Sequence, residues 1–158
     1  MTDKATRAEE AYHKAFEYDV KYGCCPQCVL TAVKETVGYV SDETIKASHG
    51  LSGGGALSGA GACGALTGGL MALGAKRGRD ADKLDKGRCM KNFQEGNKLV
   101  ERFRETFGGI ACQELQQRFT GNTYDMWQPE QYQAFSDARG DQCAHATAEV
   151  TRWVVEML

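Results

Sequence analysis

The sequence predicts an all-α protein: a single-domain, multi-helix bundle with a glycine-rich loop ahead of a buried helix. Apolar side chains recur at spacings of three, four and seven along most of the chain, as on helix faces packed against a core. No segment shows the strict apolar–polar alternation of a half-buried strand. Glycines and prolines fall between the periodic stretches, where helices stop and start. The 158 residues suit one domain spanning 1–158, and 42% hydrophobic with 25% charged residues is ordinary for a soluble globular chain.

The elements follow in order. Asp3 caps a first helix that runs to Tyr22, with Tyr12, Phe16 and Asp19/Val20 at helical spacing and Gly23 as its stop. Pro26 favours a first helical position, which makes Cys25 the expected N-cap of a second helix. Val29, Leu30, Val33 and Val37 form its stripe, and Gly38 ends it. Ser41 opens a short third helix to Ala47. From Ala47 to Ala75 there is no Asp, Glu, Lys or Arg, and 10 of the 25 residues from Gly50 to Gly74 are glycine. The first half is too glycine-rich for a helix. The second, from Cys63, carries Leu66, Leu70 and Leu73 and reads as a buried helix, with Gly64 and Gly68 allowing close approach of a neighbour. A membrane span is the rival for this uncharged stretch, and its glycine content argues against one.

A polar segment spans Arg77 to Arg88. Met90, Phe93, Val100, Phe103 and Phe107 then define a long helix, stopped by Gly108-Gly109. Cys112, Leu115 and Phe119 mark a short helix, residues 121–128 a loop, and Pro129 the start of a helix with Tyr132 and Phe135. Asp141 caps the last helix, whose core face includes Cys143, Ala146, Val150 and Val154.

Charge narrows the function. With 19 basic and 21 acidic side chains and a net charge of −2, the chain has no basic stripe for nucleic acid or an anionic membrane. The N-terminal segment lacks the apolar core of a secretory signal, and seven cysteines cannot all pair internally. Both point to a reducing cytoplasm, where thiols are more often catalytic or metal-bound than structural.

The thiols are placed tellingly. Cys25, Cys63, Cys112 and Cys143 all stand at expected helix starts. Free N–H groups and a partial positive charge there favour thiolates, lower cysteine pKa values and suit a thiolate-ligated metal cluster. Cys25-Pro-Gln-Cys28 is in addition a Cys-x-x-Cys at a helix start, the local geometry of a dithiol oxidoreductase, although no βαβ pattern surrounds it. The same spacing suits two ligands of one metal. Cys24 adjoins the pair, and Cys89 reads as a small buried hydrophobe beside Phe93. Val29 after Cys28 rules out a haem-attachment motif, and neither a ferredoxin run nor a paired Cys-x-x-Cys zinc ribbon is present. The glycine loop lacks Gly-Lys-Ser/Thr. His49 reads as a helix-end residue, His145 as facing away from Cys143, and His13 as exposed.

Cys25, then Cys63-Gly-Ala-Leu-Thr-Gly68, then Cys112 and Cys143 resemble the C_GCAxxG_C_C family of redox-active proteins, as do Ser52-Gly-Gly-Gly and Gly69-Leu-Met-Ala-Leu-Gly74. The likeness covers about residues 20–157. It implies a helical bacterial or archaeal protein, related to the cluster domain of split-Soret cytochromes, which carry an iron–sulfur centre. Cys24, Cys28 and Cys89 are additions to that pattern. The leading expectation is an electron-transfer protein with an iron–sulfur cluster on Cys25, Cys63, Cys112 and Cys143, its cofactor approached by Gly64 and the glycine loop, with Cys24 and Cys28 as extra candidate ligands. Its physiological counterpart would be a redox partner protein. A thiol–disulfide oxidoreductase using Cys25 and Cys28 is the alternative, and a metal-binding protein without redox turnover a third. The uncharged segment 50–75 also suggests a homodimer.

Overall fold

The computed structural model describes residues 3–158, so Met1 and Thr2 of the segment read above for a secretory signal lie outside it. The order is α1 (Lys4–Tyr22), α2 (Cys25–Val37), α3 (Asp42–Ala47), α4 (Gly64–Arg77), α5 (Met90–Phe107), α6 (Cys112–Thr120), α7 (Pro129–Arg139) and α8 (Gln142–Met157). The described residues form no strand; the only β-type pairing among them is one antiparallel bridge, Ala62 to Ala111. No helix among them is long and apolar enough to cross a membrane.

Local chemistry sets the helix ends. The Asp3 carboxylate accepts the Thr6 N–H at 2.7 Å, and the Ser41 hydroxyl accepts that of Thr44 at 3.2 Å. Gly23, Gly38, Gly108 and Gly121 follow the last residues of their helices. One cap differs from expectation. Cys24, in a left-handed conformation (φ 62°), precedes α2, and Cys25 is its first residue. Pro26 is then second, still within the turn whose N–H groups lack intrahelical partners.

α4 lies centrally, packed against α2, α5 and α8, while α1 packs on α8 and α2. The buried interior joins Val29, Leu30 and Val33 of α2, Leu66 and Leu73 of α4, Leu99 and Phe103 of α5, and Val150 and Val154 of α8. Small residues permit these approaches. A methyl on Gly68 would lie 2.8 Å from the Pro26 Cα, and one on Gly69 2.6 Å from a Val150 methyl. α1 presents Ala8, Ala11, Ala15 and Asp19, so close approach of small side chains takes the place of the expected stripe, and Val20 is 62% exposed.

The expected stripe of α5 fails at its start. Met90 and Phe93 are more than half exposed, and the buried face is Gly96, Leu99 and Phe103. Arg77, in the last turn of α4, pairs with Glu95 at 3.0 Å, and Met90 and Phe93 line an open groove with Leu70 and Leu73 of α4 instead of closing over them. Cys89 is likewise exposed at the helix start, not a buried hydrophobe. Cys89→Ser is therefore expected to leave stability within about 0.5 kcal/mol, as read by urea unfolding.

Gly74 lies inside α4 with open space where a Cβ would stand. Gly74→Ala should stabilise the fold by about 0.5–1 kcal/mol, because alanine loses less backbone entropy in a helix. A higher urea midpoint at unchanged slope is the expected result.

Candidate functional site

Two chain segments are laced together just ahead of α4 and α6. The Cys63 N–H donates to the Ile110 carbonyl at 2.7 Å and the Cys112 N–H to the Gly61 carbonyl at 2.9 Å, flanking the Ala62–Ala111 bridge. Each cysteine is thus the residue immediately after the bridge, at the start of its helix. The Gln113 N–H adds a bond to the Gly59 carbonyl at 2.9 Å, and the Glu114 carboxylate accepts the N–H groups of Ile110 and Ala111 at 2.8 and 2.9 Å. The glycine loop folds beneath this lacing. Gly54 has φ +79°, and a Cβ on it would meet Gly59 backbone at 2.8 Å and the Cys112 Cβ at 3.0 Å, so only glycine fits.

Cys25 arrives from α2. A Cβ on Gly64 would stand 3.4 Å from its Sγ and 2.8 Å from the Pro26 Cδ, so the bare backbone at the start of α4 lies against this thiol. Cys143 enters from the first turn of α8. Cys25, Cys63, Cys112, Cys143 and Gly64 line one cavity, with Cys24 at its edge. About 60 Å³ of the interior is free for the centres of water-sized atoms, several times the ~10–15 Å³ that one water needs. Cys28 is not part of this lining; it opens on a separate groove. His145 turns away and meets the Tyr12 hydroxyl at 2.7 Å, and His13 is exposed.

Three lining residues carried no signal in the sequence. Arg139 is held over the Phe135 ring at 5.0 Å, stands close enough to Cys143 to favour its thiolate, and keeps its Nε buried without a partner among the described residues. Asp19 is 6% exposed and accepts the Thr147 hydroxyl at 2.5 Å. Gln116, fully buried, directs its amide toward the Cys112 Sγ at 3.6 Å and accepts the Tyr124 N–H at 2.9 Å. Gln116 and Arg139 stand one helical turn from Cys112 and Cys143, and Asp19 six residues before Cys25, but none belongs to a cysteine motif or a helix start.

The expected lowering of cysteine pKa values is reversed. Burial pushes Cys63 up to about 12 and Cys143 to about 11, and it raises Cys25 and Cys112 as well. Helix-start amides do act on Cys63, where Ala65 and Leu66 oppose the rise, and Arg139 opposes it at Cys143. Desolvation and mutual repulsion of gathered thiolates outweigh them. Without a cation the thiols are held protonated, so a metal entering the site would displace protons.

Burial likewise raises the Asp19 carboxyl above its ordinary range, against the opposing pull of Thr147 and Arg139. A carboxyl raised on folding stabilises the fold below its unfolded pKa near 4, and that contribution is lost as pH climbs through the folded value. Asp19→Asn removes this dependence. Thermal unfolding between pH 4 and 7 should therefore show the native chain losing ground to the variant as pH rises.

A family model described as "Putative redox-active protein (C_GCAxxG_C_C)" matches residues 23–157. The chain belongs to the C_GCAxxG_C_C family. The match spans all four cavity cysteines and the Gly64 to Gly68 stretch that gives the family its pattern. No curated protein and no solved structure matches the chain significantly. The four thiols that line the cavity all fall within the matched residues.

Proposed function

We propose that the protein transfers electrons through an iron–sulfur cluster held by Cys25, Cys63, Cys112 and Cys143. The observation that carries this reading is the convergence of four thiols, from the starts of four helices, on one small buried cavity.

The residues fit such a group. The donor set is all sulfur, the ligation iron–sulfur clusters use. Gly64 leaves the space beside the Cys25 Sγ that a Cβ would fill. The half-buried Arg139 brings positive charge and a buried, unpartnered Nε to a site where thiolates would gather. Among the described residues no three His, Cys, Asp or Glu side chains stand close enough to hold a single metal ion.

Bound there, a cluster would accept and return single electrons. The chain's own residues would set the terms. Leu57, Met126 and Phe135 line the cavity with apolar surface and restrict water. Arg139 would favour the reduced, more negative state, and Gln116 would hold Cys112 in orientation. The exposed Trp127 and the rim residue Tyr132 offer aromatic surface near Cys24 for a redox partner protein. Anaerobically purified protein should be brown, with iron and acid-labile sulfide in comparable amounts. Colourless protein that takes up neither on reconstitution would refute the reading. Arg139→Gln should shift the reduction potential to more negative values by tens of millivolts, since a half-buried positive charge is lost beside the group that gains an electron.

A further inference from the structure

Three thiols are left unused by this reading, and two of them, Cys24 and Cys28, stand together. Cys24 and Cys28 line one open groove with Tyr18, Tyr22, Gln27 and His49. The Cys28 N–H donates to the Cys24 carbonyl at 3.2 Å, which fixes the two residues one helical turn apart. Cys25, the intervening family cysteine, points instead to the cavity. The Cys28 Sγ reaches back along the helix to the Gly23 carbonyl at 3.0 Å, toward the chain that carries Cys24. Cys24 is partly exposed, while Cys28 is buried. Cys24 also holds a left-handed backbone (φ 62°), rare for a residue with a side chain and maintained only where surrounding structure imposes it.

We propose that Cys24 and Cys28 form a second redox site, a dithiol that exchanges with low-molecular-weight disulfides at this groove. The more exposed Cys24 releases its proton to solvent, and its sulfur attacks one sulfur of a disulfide R–S–S–R. The S–S bond breaks, one RS⁻ leaves and takes a proton, and Cys24 carries R in a mixed disulfide. Cys28 then releases its proton to solvent, and its sulfur displaces the second RS⁻, which is protonated in turn. Two protein thiols are oxidised to one disulfide and R–S–S–R is reduced to two RSH, so two electrons and two protons move. Residues one turn apart on a helix have Cβ atoms about 5–6 Å apart, against about 3.5–4.5 Å in a disulfide. Closing the bond therefore draws the pair together by about 1–2 Å, at the very start of α2, where Cys24 lies outside the regular helix. Its thiols are not those assigned as ligands, and Cys24 stands between the groove and the cavity, lining both.

The test treats the purified full-length chain with glutathione disulfide in a Cys89→Ser background, which removes the exposed thiol far from the groove. Peptide mapping should find a Cys24–Cys28 disulfide and two glutathione thiols released per chain. Adding Cys28→Ser should trap glutathione on Cys24, and adding Cys24→Ser should give neither product. Iron content should be unchanged in both. Cys28→Ala repeats the trap if the serine variant folds poorly. Cys24 and Cys28 remaining free thiols, a bond from either to Cys25, or loss of iron in a folded Cys24 or Cys28 variant would each overturn the proposal. A colourless protein that still forms the disulfide would refute the cluster alone.

Discussion

Cys63→Ser is expected to yield folded protein that has lost most of its iron, sulfide and visible absorption. The effect is large because Cys63 is buried and its position is fixed on both sides. Its N–H is bonded to Ile110, and α4 begins directly after it. The substitution also separates ligation from folding, since Cys63 is the N-cap of α4 and serine is among the best residues there. Helix stability should hold or rise slightly while the cofactor is lost. Cys112→Ser and Cys143→Ser should behave alike, and Cys89→Ser should keep full occupancy. Full iron in folded Cys63→Ser protein would remove the ligand assignment.

The second large effect is expected from Gly68→Ala. In an open helix this change stabilises by about 1 kcal/mol. Here the new methyl would stand 2.8 Å from the Cα and 3.0 Å from the carbonyl oxygen of Pro26. Both are backbone atoms and cannot swing aside. Overpacking of this kind costs about 1–3 kcal/mol, so the sign reverses relative to Gly74→Ala six residues along the same helix. The strain falls on the first turn of α2, one residue from Cys25. A lower urea midpoint should accompany reduced cluster content, and a variant as stable as the native chain would show that the crossing relaxes more freely than its contacts imply.

The contrast between those glycines shows what the sequence discloses. Cap and stop residues act locally, so Asp3, Ser41, Pro129 and the glycines after α1, α2 and α5 announce helix boundaries to within a residue or two. The four helix-start cysteines and the close approach at Gly64 and Gly68 were legible for the same reason. Tertiary placement was not. Nothing about Arg139 distinguishes it from 18 other basic residues until α7 lays it beside Cys143. The alanine face of α1 does not register as apolar periodicity when Tyr12, Phe16 and Val20 lie alongside it. The direction of the cysteine pKa shifts was misjudged because helix-start amides are visible in sequence, whereas the burial that overrides them is a property of the assembled bundle.

The spread of the four thiols along the chain bears on how the molecule is made. Cys25 and Cys143 lie more than a hundred residues apart, and the helix carrying Cys143 packs against α1, α2 and α4. On the ribosome that interval takes on the order of ten seconds. During it the first three thiols have no wall from α8, no Cys143 and no Arg139. On the proposed reading, metal would load after translation, into a chain whose final helix has already docked. A nascent chain or fragment ending before Gln142 would offer only three of the four proposed ligands, so synthesis itself would guard against premature insertion of a cluster.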